Sequence, residues 1–183
     1  MELVAGRACG GCTACCKELA IDDPALRKAG NVLCEHCAPR RGCAIYEARP
    51  ATCRDWHCAW RYLGWLDEGF RPDRSNILIL LTDQDIPAPW RGVGLVFNVL
   101  TGPPAVGNRR LVDVIGALIR EDVPAFLGAK GPPGHGGTKV FLNDRLAAQA
   151  RSRDGDAFRA ALLGTYRHAL AQPKRRLETR AGP

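Results

Sequence analysis

Thiols crowd one stretch of this chain. All nine cysteines of its 183 residues fall between Cys9 and Cys58, and none follows. The run opens as Cys9-Gly-Gly-Cys12-Thr-Ala-Cys15-Cys16, continues with Cys34-Glu-His-Cys37, Cys43 and Cys53, and closes at Cys58. One or two thiols are ordinary, nearly apolar core side chains. Nine so close together call for a disulfide framework or bound metal. Thiolates hold zinc tetrahedrally or carry iron–sulfur clusters. Cysteines two residues apart, completed by a remote one, suit a four-iron cluster. A Cys-x-x-Cys pair with a distant second pair, here Cys34 and Cys37, suits a four-sulfur zinc site equally well. The expected cofactor is therefore zinc or an iron–sulfur cluster, in one or two centres.

The start of the sequence favours metal over disulfides. Residues 1–7 have neither the basic nor the apolar region of a secretory signal, so a reducing cytoplasm is expected. An odd thiol count also fits a closed disulfide set poorly. The longest wholly aliphatic string, Ile77 to Leu81, is far short of the about 18 residues that cross a bilayer, so no membrane partner is expected. The formal charge of +7 is uneven: residues 1–70 hold nine Lys/Arg against nine Asp/Glu, residues 71–183 seventeen against ten. Part of the excess is Lys174, Arg175, Arg176 and Arg180. A solvated tail explains it more simply than a nucleic-acid face, since charge alone does not make a binding surface. A metal ion is the expected partner; the residues name no protein or small molecule.

The elements that must position these thiols are short. Gly10 and Gly11 suit a tight knuckle leading into a helix, where Cys9, Cys12 and Cys16 would share a face. Asp23 and Pro24 read as a helix start, with Gly30 and Asn31 at its end. From Pro50 a helix would carry Cys53, Trp56, Trp60 and Leu63 on one stripe. It would leave Cys58 about 140° from Cys53, unless it breaks near His57. Beyond Arg71–Arg74, a turn-rich joint, strands are expected over 76–81 and 92–100. A helix capped by Asn108 should run to Glu121. The glycine-rich loop 128–137 precedes a strand at 139–142 and a helical tail from Asn143. The fold class is α+β: a helix-rich, metal-stapled cysteine module over 1–70, then a strand-strand-helix-strand-helix region over 71–172, and a basic tail over 173–183.

Two motifs in sequence carry a resemblance. Cys9-x-x-Cys12-x-x-Cys15-Cys16 is followed by Cys43-Ala-Ile45-Tyr46-Glu-Ala-Arg49-Pro50-Ala-Thr-Cys53-Arg54 and then Cys58. Together they resemble the YkgJ-like cysteine-cluster family, described as a zinc- or iron-chelating domain, whose motif flagellin lysine methylases share. The likeness covers residues 9–58. It implies that Cys9, Cys12, Cys15, Cys16, Cys37, Cys43, Cys53 and Cys58 are metal ligands, with Cys34 an addition found in a subset.

Other groups near the thiols read more plainly. Arg49 and Arg54 could neutralise metal-bound thiolates, or simply pair with Glu47. His36 and His57 could replace a cysteine, but sulfur donors are already in excess. His135, Lys130 and Lys139 lack the order of a phosphate-binding loop, so an ordinary loop is expected. The expectation is a cytosolic metal-binding cysteine-cluster protein. No residue announces catalysis, and the catalytic and small-molecule sites stay unassigned. The alternatives are a cluster-dependent enzyme, methylase-like or redox, and a zinc-stapled nucleic-acid-binding module.

Overall fold

Glycine and proline punctuate the first 75 residues so often that no regular element described there exceeds five residues. The structure is a computed structural model, and it describes residues 1–38 and 40–177. The chain divides into two units. The first comprises Met1–Ser75, Lys130–Gly137 and the chain from Lys174 onward; the second comprises Asn76–Ala129 and Thr138–Pro173.

The first unit opens with the expected knuckle and helix α1 (Ala14–Glu18). Two antiparallel hairpins follow, β1 (Ile21–Asp23) with β2 (Leu26–Lys28), and β3 (Cys37–Ala38) with β4 (Gly42–Cys43). The first hairpin replaces the helix expected after Asp23. The Asp23 carboxylate does accept a backbone bond, from Ala25 at 2.9 Å, but it closes a two-residue turn instead of capping a helix. The helix expected from Pro50 also breaks. Helix α2 (Ala51–Asp55) ends at Trp56, which is extended, and α3 (Ala59–Tyr62) starts afresh behind Cys58. Cys53 and Trp60 therefore belong to two helical turns. A single-turn 3₁₀ segment (Glu68–Phe70) precedes the joint read as turn-rich, which α4 (Pro72–Ser75) occupies.

The second unit is a four-stranded mixed sheet in the order β5-β6-β7-β8. Strands β5 (Ile77–Thr82) and β6 (Gly94–Val99) form an antiparallel pair; β6 and β7 (Ala125–Ala129) run parallel. The parallel crossover carries α5 (Pro103–Val106) and α6 (Arg109–Arg120). Asn108 caps α6 as expected, its side chain accepting from Arg110 N at 3.0 Å. Strand β8 (Thr138–Phe141) returns antiparallel to β7. The helical tail is two helices, α7 (Asn143–Ser152) and α8 (Gly155–Ala171), separated at Arg153 in the left-handed region with φ 58°. Asp154 restarts the helix by accepting from the amides of Asp156 and Ala157. Helices α6, α7 and α8 pack together, and α8 covers β7 and β8. Phe97, Leu127, Ile115 and Leu162 are almost wholly inaccessible in this core. The α+β class is as expected, and the second unit has one strand, β7, more than the sequence suggested. Among the described residues, no helix is long and apolar enough to cross a membrane.

That additional strand is held at its start by one side chain. Asn143, 1% exposed, accepts from Ala125 N and donates to Val123 O, both at 2.9 Å. Replacing Asn143 by alanine orphans two main-chain groups in the interior. Asn143→Ala is expected to cost about 2–4 kcal/mol in urea denaturation followed by circular dichroism, whereas a loss below about 0.5 kcal/mol would mean the latch carries no weight.

Candidate metal centre

Two glycine turns packed back to back bring the thiols of the first unit together. A Cβ on Gly11 would lie 2.6 Å from the Arg40 carbonyl oxygen, and one on Gly42 would lie 2.5 Å from that of Gly10. Gly42 also has φ +91°, which side-chain-bearing residues rarely adopt. The Cys9–Cys12 knuckle thus lies against the β3–β4 hairpin turn. Within the knuckle, Cys12 N donates to Cys9 O at 3.0 Å.

The nine thiols are all free and sort into two groups. The first is Cys9, Cys12 and Cys58. Cys58 is buried where α3 begins, and its thiol is pushed up to about 11, mainly by burial and further by Cys9 and Cys12. The Arg61 and Trp60 amides at the start of α3 act in the opposite sense. Burial likewise raises Cys12, with added repulsion from Asp73 and Cys9, against the Ala14 and Asp73 amides. Arg7 braces this group. Its guanidinium lies 4.9 Å from the centre of the Trp60 ring and donates to the carbonyls of Trp60, Leu63, Gly64 and Leu66. It therefore ties the segment entering Cys9 to the segment leaving Cys58.

The second group is Cys15, Cys16, Cys34, Cys37, Cys43 and Cys53. Cys16 and Cys53 pack on buried Cys34 and Cys37, together with Ile21 and Leu26. Cys37 faces Cys43 across the β3–β4 hairpin, and Cys34 N donates to Cys16 O at 2.9 Å. Hydrogen bonding to Cys15 raises the Cys16 thiol far above its ordinary value, with burial and the Cys15 charge adding to it. Cys37 is pushed up to about 11 by burial, then by Cys16, Cys34 and Cys43. Burial also raises Cys53, followed by Cys16, Cys34 and Cys43. A buried cation stands beside these thiols. Lys28, 6% exposed, donates from Nζ to the carbonyls of Lys17, Ala29 and Val32 at 3.0, 3.0 and 2.7 Å.

Thiols are the donor type that a thiophilic metal prefers. Crowded buried thiols resist losing their protons because each thiolate repels the next, and a bound cation removes that repulsion. No three His, Cys, Asp or Glu side chains among the described residues form a ready coordination set. What the fold supplies is proximity and donor chemistry.

The remaining candidates separate cleanly. His36 lies 3.7 Å from Glu35, and His57 stacks edge-on to Tyr62 with ring centres 5.8 Å apart. Arg49 lies over the Tyr46 ring at 3.7 Å, and Arg54 reaches the Arg49 carbonyl at 3.5 Å; among the described residues neither forms the alternative pair with Glu47. Lys130 pairs with Glu18 at 3.8 Å, Lys139 with Asp85 at 3.0 Å, and the His135 ring with the Pro133 carbonyl at 3.0 Å. The glycine loop is stitched to the first hairpin region, with Gly134 N donating to Gly30 O and Asn31 Nδ2 to His135 O, both at 2.9 Å. Sequence reasoning missed Lys28 and Arg61, whose burial is set by turns that periodicity does not reveal. Comparison with protein-family models, curated proteins and solved structures found no match.

The glycine contact is open to a direct check. Gly42→Ala forces either the hairpin or the knuckle to move, at an expected cost of about 1–3 kcal/mol. Mass spectrometry after a brief pulse of alkylating reagent should find Cys43 and Cys12 labelled faster than in the parent. Equal labelling with unchanged stability would mean the two turns do not constrain one another.

Proposed function

We propose that this protein is a cytoplasmic metal-binding protein whose cysteine segment carries two thiolate centres, zinc or iron–sulfur. The observation that carries the reading is the packing of Cys16 and Cys53 on buried Cys34 and Cys37, with Cys43 opposite Cys37 across the β3–β4 hairpin and the Cys9–Cys12 knuckle against that hairpin's turn. The motif likeness of residues 9–58 to the YkgJ-like family supports the same ligands. So does the size of the elements: helices of four or five residues are too short to be stable on their own, and a metal cross-link suits such a segment. In the first group, Cys9, Cys12 and Cys58 would hold the ion. In the second, Cys16, Cys34, Cys37 and Cys53 would be the inner donors, with Cys15 and Cys43 flanking them. Lys28 offsets the negative charge of that second group. Zinc would supply a structural cross-link, whereas an iron–sulfur cluster would supply a site for electron transfer.

Elemental analysis and a visible spectrum on protein purified without oxygen test the reading. Two metal equivalents, or iron with matching sulfide, are expected. Cys58→Ser should lose the first centre and keep the second, while Cys37→Ser should do the reverse. Metal-free protein that takes up neither zinc nor iron on reconstitution would overturn the proposal. Two variants with unchanged metal content would overturn the ligand sets.

A further inference from the structure

The β3–β4 hairpin sets two thiol-bearing residues directly opposite one another. Cys37 pairs with Cys43, and Ala38 with Gly42. Cys37 N donates to Cys34 O at 2.9 Å, and Ala44 N to His36 O at 2.8 Å. The Cys37 amide is thus spent outside the hairpin, and its pair with Cys43 is one without mutual backbone bonds. Cα atoms at such a position lie about 4.5 Å apart, with their side chains on the same face. A disulfide spans Cα separations of about 4.4–6.8 Å, so these two can be joined with the backbone where it stands. The turn holds that register. Arg41 N donates to Ala38 O at 2.9 Å, Arg40 has φ 64°, and Gly42, with φ 91°, lies against the Gly10 carbonyl. Other neighbouring thiols are placed less well. Cys15 and Cys16 are adjacent on α1, where successive side chains diverge by about 100°. Cys34 and Cys37 share a turn, but both are buried, whereas Cys43 is partly exposed.

We propose that Cys37 and Cys43 are a reversible disulfide pair, oxidised by a small disulfide such as oxidised glutathione. In the reducing cytoplasm proposed for this chain, disulfides are usually transient and redox-sensing. Partly exposed Cys43 takes the first step: its thiolate attacks oxidised glutathione, forms a mixed disulfide and releases one glutathione. The Cys37 sulfur then attacks the Cys43 sulfur and expels the second glutathione. Two electrons pass from the cysteines to the oxidant, and their two protons leave on the two glutathione thiols. A thiol reductant runs the exchange backwards. The bond itself needs no metal. Its consequence rests on the metal-binding reading: it withdraws Cys37 and Cys43 from the second thiol group and takes nothing from Cys9, Cys12 and Cys58. Oxidation would then loosen the second centre and spare the first.

The experiment exposes the full chain, purified without oxygen, to graded ratios of oxidised to reduced glutathione, with and without a chelator. Samples are then denatured, alkylated and digested. Cleavage after Glu35 and Arg41 parts Cys34, Cys37 and Cys43 from one another, so the linked peptides name the pair. The first bond is expected between Cys37 and Cys43, with a loss of both from the alkylated thiols that dithiothreitol restores. Cys43→Ser should keep its remaining thiols alkylatable at the ratio that half-oxidises the parent. Cys37→Ser should instead retain glutathione on Cys43, because the second step has lost its sulfur. Should Cys37→Ser fail to fold, Cys43→Ser alone decides, its side chain being partly exposed. A first bond elsewhere, Cys9 to Cys12 or Cys34 to Cys37, overturns the inference. So does a parent chain that keeps glutathione on Cys43, or one that forms no bond at any ratio in the presence of the chelator. Metal is measured in the same samples. Its loss from the second centre, with the first retained, ties the pair to the metal reading. Bond formation in protein that holds no metal leaves the pair standing while that reading falls.

Discussion

A segment assembled from turns and helices of four or five residues has little to hold it but what its side chains can bury. Helix formation is unfavourable at such lengths, and two- and three-residue strands give few ladder bonds. In the first unit the interior is accordingly built around sulfur: Cys34 and Cys37 are buried with Ile21 and Leu26, and Cys16 and Cys53 pack on them. The same constraint explains the fixed cations. Arg7 and Lys28 bind main-chain carbonyls that short elements leave open, replacing the hydrogen bonds a longer helix would have supplied. Backbone satisfaction and thiol chemistry are thus solved by the same few residues.

The two units place different demands on their sequences. The second unit has a long amphipathic helix, a sheet and an aliphatic core, and it tolerates local compromises such as the left-handed Arg153 between α7 and α8. The first unit depends on close backbone approach, which only glycine at positions 11 and 42 permits.

This difference decides what could be read from the sequence. Helix α6 was legible because Asn108 caps a clear apolar stripe, and β5 because Ile77–Leu81 is uniformly aliphatic. Strand β7 was not: Ala125-Phe-Leu-Gly-Ala has no alternation, since every residue in it is buried, and it merges into the glycine loop. Asp23 makes the same local hydrogen bond whether it caps a helix or closes a hairpin, so its chemistry was legible and its outcome was not. The cysteines announced that they belong together. How they divide depends on the break at Trp56 and the contact between two glycine turns, and neither is periodic. Arg61 sits beside an apolar stripe like any surface arginine; only the separate start of α3 buries it.

The first unit is discontinuous along the chain, and that gives its synthesis an order. The Gly30 carbonyl receives its bond from Gly134, and His135 bridges to Arg176. On a ribosome adding about 5–20 residues per second, Arg176 follows Cys58 by roughly 5–25 seconds. Throughout that interval all nine thiols have been made while the last segment of their unit has not. Whatever ion, reductant or oxidant meets the nascent chain then meets an unfinished unit. A fragment ending at Ser75 would remain permanently in that state.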